Sequence, residues 1–198
     1  MKKKITILLS FFSLIFFSSY NLMDGKKAIC SFSIHAGYGN SMPDLSKAKR
    51  VTKQSDKSGI YEVVNSMKSV LEINPQFDIY LQPNIDNAYA LLKNGKKSLV
   101  FDVNFLKNVN SHCGSEWCAI QIIAHEIGHH IHGFSNDSHE NELGADYWSG
   151  YILAKLGASE ESTLKAIETY GSQFDTDTHP NMEKRMNAIS EGFQDADN

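Results

Sequence analysis

Apolar and polar positions alternate between two periods along most of this chain. Over residues 59–73 the apolar positions fall at 60, 63, 64, 67, 70 and 71, a helical stripe that Asn74-Pro75 ends. Phe77-Asp78-Ile79-Tyr80-Leu81 alternates and predicts a strand. Residues 87–93 and 97–103 predict two more, and Asn94-Gly95 between them is a hairpin turn signal. Residues 105–109 predict a short helical turn. Ser115 is a fair N-cap for a central helix running to about His132, with Gly133 as its stop. Apolar residues at 120, 123, 124, 127 and 131 form one face of that helix, and His125 and His129 lie nearly opposite. Such a helix presses one side on a core and offers the other to a cleft. Residues 141–156 form a second helix, apolar nearly all round as in a buried helix and closed by Gly157. Ser159 caps a third helix that ends near Tyr170-Gly171, and Pro180 at a first helical position starts the last, to about Phe193. There are no internal repeats.

The first 57 residues follow neither period. Lys2, Lys3 and Lys4 precede an apolar run over residues 5–17, a length that suits a signal peptide and is short for a membrane span. Phe17 and Tyr20 spoil the small-x-small cleavage pattern around Ser18 and Ser19, so an uncleaved N-terminal anchor is the alternative. Residues 1–19 are therefore read as signal peptide or anchor, 20–57 as a linker or loosely ordered arm rich in Ser, Lys, Gly and Asn, and 58–198 as one domain. The expected location is outside the cytoplasm, periplasmic or extracellular. Membrane contact is confined to the N-terminal segment if it is retained. A chain of 198 residues has enough length for a sizeable core. Its net charge of −4 and the absence of a basic block past the N-terminus argue against a nucleic-acid partner.

Export permits disulfides. Of the three cysteines, Cys113 and Cys118 enclose Gly-Ser-Glu-Trp just ahead of the central helix, and a short-loop disulfide there would pin the helix entry. Two free buried thiols are the alternative, and a zinc pair fits less well because no second cysteine pair exists. Cys30 is left over, free or paired with another chain.

The chemistry concentrates at residues 122–132, where His125-Glu126-Ile127-Gly128-His129 is an H-E-x-x-H pentapeptide. On a helix the two imidazoles stand one turn apart on one face and suit two corners of a tetrahedral zinc site. Glu126 sits about 100° round the helix, beside such a metal and not aimed at it, as befits a base acting on water. Glu142 is the best candidate for the third ligand, since a carboxylate on an otherwise apolar helix needs a partner. Asp146, one turn further on, can accept the other ring N–H of a metal-bound histidine. Gly144 and Ala145 are small enough for close helix approach. Glu140 is a weaker third ligand, and His132 a weaker extra one. The histidine-rich metzincin pattern fails, because it needs Gly at 132 and His at 135 where the chain has His132 and Ser135. His130 points elsewhere, and His35, His112 and His139 carry no convincing ligand spacing.

Ala124-His125-Glu126-Ile127-Gly128-His129-His130, Glu142-Leu143-Gly144-Ala145-Asp146 and Thr178-His179-Pro180-Asn181-Met182-Glu183-Lys184-Arg185 follow one another in an order that resembles the gluzincin peptidases of the HtpX-like and CAAX-prenyl-protease-like family. Asn87-Ala88-Tyr89-Ala90, followed by a turn, a strand and Asn104-Phe105-Leu106, also looks like that family, and the likeness covers about residues 60–190. It implies an α+β fold, a mostly helical zincin-like metallopeptidase domain with a small antiparallel sheet beside the active-site helix. It further implies one Zn²⁺ per chain held by His125, His129 and Glu142, Glu126 as catalytic base and Asp146 as orienting carboxylate. His179 would reach the rim of the metal site, to steady an oxyanion or contact the open zinc position, and Arg185 would balance charge nearby. The strand at 88–92 would offer an exposed edge to an extended peptide. The chain departs from the family in having only 12 residues between His129 and Glu142 and in lacking its transmembrane helices. The expected activity is therefore that of a small exported endopeptidase acting on protein or peptide substrates in the envelope or outside the cell. A toxin or effector peptidase acting on a host protein would share the chemistry. A non-catalytic, zinc-stabilised envelope chaperone or assembly factor is the alternative.

Overall fold

The structure, a computed structural model, describes residues 28–31 and 42–196. It is α+β. Strands β1 (Ala28–Ser31), β2 (Lys49–Val51), β3 (Asp78–Leu81), β4 (Ala88–Lys93) and β5 (Lys96–Phe101) form one sheet in the order β1-β4-β5-β3-β2. Helices α1 (Ile60–Ser69), α2 (Val103–Cys113), α3 (Trp117–His132), α4 (Ser138–Lys155), α5 (Glu160–Tyr170) and α6 (Met182–Asp195) pack on one face of it. Among the described residues no helix is long and apolar enough to cross a membrane. The expected signal peptide or anchor at residues 1–19, and His35 in the expected arm, lie outside the described residues.

The sheet is mixed, where an antiparallel one was expected. The β4–β5 hairpin is antiparallel, and Asn94 and Gly95 at its tip both take positive φ, at 52° and 74°, as a two-residue primed turn requires. β3, which precedes the hairpin in sequence, pairs with its second strand in parallel. The expected loose arm at 20–57 contributes two strands. β2 pairs antiparallel with β3, and β1 pairs antiparallel with the outer edge of β4. Ala88, Ala90, Leu99 and Phe101 face the helices, and Tyr89, Leu91 and Val100 face a smaller cluster with Ile85 and Leu45.

Asp102 fixes the start of β4 and of α2 together. One carboxylate oxygen caps α2 by accepting from the N–H of Asn104 and Phe105, and the other accepts from Ile85 and Asp86 in the loop before β4. α2 is longer than the single turn expected from 105–109. Its end is tied to the entry of α3 by a disulfide between Cys113 and Cys118. The side chain of Cys30 lies outside the described residues.

Helix ends follow side-chain capping more closely than proline or serine position. α3 begins at Trp117 behind Glu116, whose side chain caps nothing, while the Ser115 hydroxyl accepts from the Trp117 N–H and its carbonyl from that of Cys118. α4 begins at Ser138, three residues earlier than expected, because Asp137 accepts from the N–H of His139 and Glu140. α6 begins at Met182, capped by Asn181, so Pro180 precedes the helix. Ser159 caps α5 as its sequence suggested.

α4 is buried along one side and not all round as its apolar residues suggested. Asn141, Glu142, Ala145, Asp146, Ser149, Gly150, Ile152 and Leu153 are buried, whereas Leu143, Tyr147, Trp148 and Tyr151 are half-buried. From Asn141 to Gly150 the buried residues are polar or small because two backbones press on them. A Cβ on Gly128 of α3 would stand 2.5 Å from the carbonyl oxygen and 2.8 Å from the Cα of Ala145. On the other side, a Cβ on Gly150 would collide with the Ile189 carbonyl of α6, and one on Gly192 with that of Tyr147. Gly128→Ala thus meets backbone that cannot swing aside. The variant should lose about 1–3 kcal/mol in urea unfolding, the usual cost of overpacking. It should also bind divalent metal more weakly in chelator competition, since α4 must retreat from α3. Wild-type values in both assays would show that the helices can part without disturbing the residues between them.

Candidate metal centre

α3 brings His125 and His129 to the same side, their rings edge-on at 4.6 Å between centroids. α4 lies across them and places Glu142 between the two. Nε2 of His125 is 3.3 Å from one Glu142 carboxylate oxygen, and Nε2 of His129 is 3.5 Å from the other. A tetrahedral metal with bonds of about 2.0–2.1 Å separates neighbouring ligand atoms by about 3.3–3.4 Å. The three side chains are buried and together form a group that could hold a metal ion. Glu140 is exposed and does not belong to this group, nor does exposed His132, whose ring fills the space left by Gly144.

The polar atoms around the centre fix the orientation of its ligands. Nδ1 of His125 lies 2.8 Å from Asp146, and because an ionised carboxylate only accepts, the proton sits on Nδ1 and Nε2 turns toward Glu142. Arg185 of α6 donates from Nε to Asp146 at 2.7 Å and from Nη2 at 2.9 Å, and its Nη2 lies 3.7 Å from Glu142. Nε2 of His179 is 3.6 Å from the Glu142 oxygen that faces His125. Glu126 is fully buried one residue from His125, and its charge acts on Arg185 and on Tyr89.

His179 is held by a loop that α4 anchors. Its Nδ1 pairs with the Thr178 hydroxyl at 2.8 Å, and Thr176 bonds its backbone from both sides. His139 reaches the Thr176 carbonyl at 2.7 Å, and the Ser138 hydroxyl donates to that of Asp177. Nothing in local spacing marks His139 for this clamp, because its partner lies 37 residues away. His130 also serves a position outside the centre. Its Nε2 donates to the Ser98 carbonyl, Lys97 donates to the His130 carbonyl at 2.7 Å, and the C-terminal turn of α3 is thereby bolted to β5. Burial holds the His130 pKa down to about 4, so this imidazole is neutral.

The titration of the centre is that of a site built for positive charge. Burial disfavours the His125 cation, yet the Asp146 and Glu142 carboxylates prevail and raise its pKa to about 9. Burial and the neighbouring His125 charge push His129 down to about 3. Burial opposes ionisation of Glu142, but the proximity of His125, with His129 and Arg185, brings it to about 2. Asp146 is likewise lowered against burial by Arg185 and His125. The buried carboxylates of Glu126, Glu142 and Asp146 thus face one buried guanidinium, and a divalent cation would bring the set to neutrality. Neither ring nitrogen of His129 has a hydrogen-bond partner, nor has the Glu142 oxygen that faces His125. Buried polar atoms left so cost about 1–3 kcal/mol each, which a metal bond removes at Nε2 and at the carboxylate. The residues fit a dication.

The centre is closed. Every residue of α3 from Gln121 to His130 is buried, so the histidine face does not open to a cleft as its sequence suggested. Phe134 stacks over His129, with ring planes 13° apart, and the outer edge of β4 beside α3 is taken by β1. Comparison with protein-family models, curated proteins and solved structures found no match to this chain.

Proposed function

We propose that this chain is a zinc-dependent endopeptidase of the gluzincin kind, exported and acting on protein or peptide substrates. The observation that carries the reading is the convergence of His125 and His129 Nε2 on the Glu142 carboxylate, with Glu126 one residue from the first ligand. Bound by those three residues, Zn²⁺ would supply an acidified water and a Lewis acid for the scissile carbonyl. Glu126 takes a proton from water and delivers it to the leaving amine. Asp146 keeps the proton of His125 on Nδ1 and so leaves Nε2 for the metal. Arg185 keeps Asp146 ionised. A Thr178 hydroxyl donating to Nδ1 would leave the His179 proton on Nε2, placed to donate to the carbonyl oxygen as negative charge develops there.

The closed centre also favours a second reading, a zinc-stabilised envelope chaperone or assembly factor. His179 would then complete a four-residue site with His125, His129 and Glu142, as structural zinc sites are built.

Metal analysis combined with casein cleavage separates the two. The peptidase reading expects close to one zinc per chain, with cleavage lost to a chelator and regained on adding zinc. Zinc binding with no cleavage would leave the structural reading. Absence of zinc binding would overturn both. Proton release supplies an independent check. At pH 7 only His125 among the ligands must give up a proton, because His129 and Glu142 have already done so. Calorimetry in buffers of different ionisation heat should therefore find about one proton released per zinc, with affinity rising as pH rises toward about 9.

A further inference from the structure

β4 packs against the metal helix α3. Lys97, opposite Leu92 in the hairpin, bonds the His130 carbonyl at the C-terminal end of α3, and Ala88 and Ala90 of β4 share a core with Ile127 of α3. A polypeptide added to the outer edge of β4 would therefore pass residues 126–130 in extended form. Such a strand is held by backbone hydrogen bonds, the mode by which sheet edges bind peptides of varied sequence. That edge is occupied by the chain itself. β1 pairs with β4 in antiparallel register, Ala28 opposite Leu92, Ile29 opposite Leu91, Cys30 opposite Ala90 and Ser31 opposite Tyr89, and it also lies against α3. The occupied edge agrees with the burial of Glu126 and both histidines, in a centre that a substrate carbonyl must reach.

We propose that residues 28–31 are an intramolecular competitor for the substrate edge, so that the N-terminal arm holds the centre closed and must leave β4 before an extended polypeptide can bind. This rests on the peptidase reading. β1 belongs to the same chain as β4, so an incoming peptide competes with an intramolecular partner and must overcome its effective concentration. The favoured substrate is thus an unfolded segment presented at high local concentration or with side chains that add affinity, and a dilute short peptide is a poor one. Any process that removes or draws away the arm raises activity.

The test locks the arm in place. The full chain carrying Ala28→Cys, Leu92→Cys and Cys30→Ser is oxidised, and the new disulfide is read by mass spectrometry, independently of activity. Register-paired Cα atoms in an antiparallel ladder stand about 4.5–5.5 Å apart, within disulfide reach. The expected results are formation of the cross-link, unchanged zinc content, and casein cleavage at least about tenfold slower than for the same variant after reduction. The parent chain with the same reductant corrects for the loss of Cys113–Cys118. Ile29→Pro and Cys30→Pro, each in the unlocked chain, form a second arm of the experiment. At least one of them removes a ladder N–H and should raise the cleavage rate. Failure of the cross-link to form, or equal rates in locked, unlocked and proline forms, would overturn the competitor role and leave the peptidase reading intact. No cleavage by any form when zinc is stoichiometric would overturn the peptidase reading and the competitor role with it.

Discussion

Glu126→Gln should keep its zinc and lose about two to four orders of magnitude in peptide cleavage, the usual contribution of a positioned general base. The exchange is isosteric, and it matters here because Glu126 is fully buried and any change of shape would be felt by the packed turn of α3. Gln can still hydrogen-bond water but cannot accept its proton. The metal should stay because the ligand atoms come from His125, His129 and Glu142, none of which is altered. The charge argument gives the direction of the smaller effect. Removing one of the buried carboxylates leaves Glu142 and Asp146 against Arg185, a set that attracts a dication less strongly, so zinc affinity should fall modestly and not vanish. Zinc content and single-turnover cleavage measured on the same preparation decide the matter. Turnover within a few-fold of wild type would remove Glu126 from the chemistry. Loss of zinc in parallel with activity would make it a structural member of the site.

Much of the site was legible because its parts are local. His125, Glu126 and His129 sit within five residues, and a helical period alone places two imidazoles together with the carboxylate beside them. Glu142 and Asp146 could be read one turn apart because they are isolated acids on an apolar helix. The apolar residues of α4, spread nearly all round, did not mark which side is buried. The inward stripe holds Glu142, Ala145, Asp146, Ser149 and Gly150, chosen for what they bond or how little room they take, and hydrophobicity carries no signal for either property.

The strands show the same limit from the other side. Asn94-Gly95 announces its hairpin through backbone conformation at two adjacent residues. Ala28–Ser31 and Lys49–Val51 are three or four residues long and join the sheet by main-chain bonds to partners far along the chain, at Tyr89–Leu92 and Ile79–Leu81. Backbone pairing is nearly indifferent to side chain, so nothing in these segments distinguishes them from a loose arm. For that reason neither the occupied edge of β4 nor the closure of the centre could be foreseen, although the ligands themselves could.

Arg185→Met should destabilise the fold by about 3–5 kcal/mol, the cost of leaving a buried charge without its partner. Arg185 is only 4% exposed, and its guanidinium holds Asp146 by two hydrogen bonds while lying within ion-pair distance of Glu142. Met fills most of the volume, so the loss is of charge and not of packing. Asp146 would then stand fully buried with His125 as its remaining partner. Its pKa should rise, and a protonated Asp146 no longer draws the His125 Nδ1 proton toward itself. Zinc affinity should therefore fall as well, by about 10–100-fold as for other partners of metal-bound histidines. The two losses separate in urea unfolding followed with and without zinc. The metal-free chain should bear the full cost, and zinc, by supplying positive charge beside Glu142, should restore part of it. Adding Asp146→Asn to Arg185→Met removes the uncompensated charge and should recover part of the stability, while leaving zinc affinity low because an amide orients the His125 ring less strongly than a carboxylate. A cost below about 1 kcal/mol for Arg185→Met, in the range of a surface pair, would mean that Asp146 is not charged in the folded chain and that the charge balance proposed for the centre is wrong.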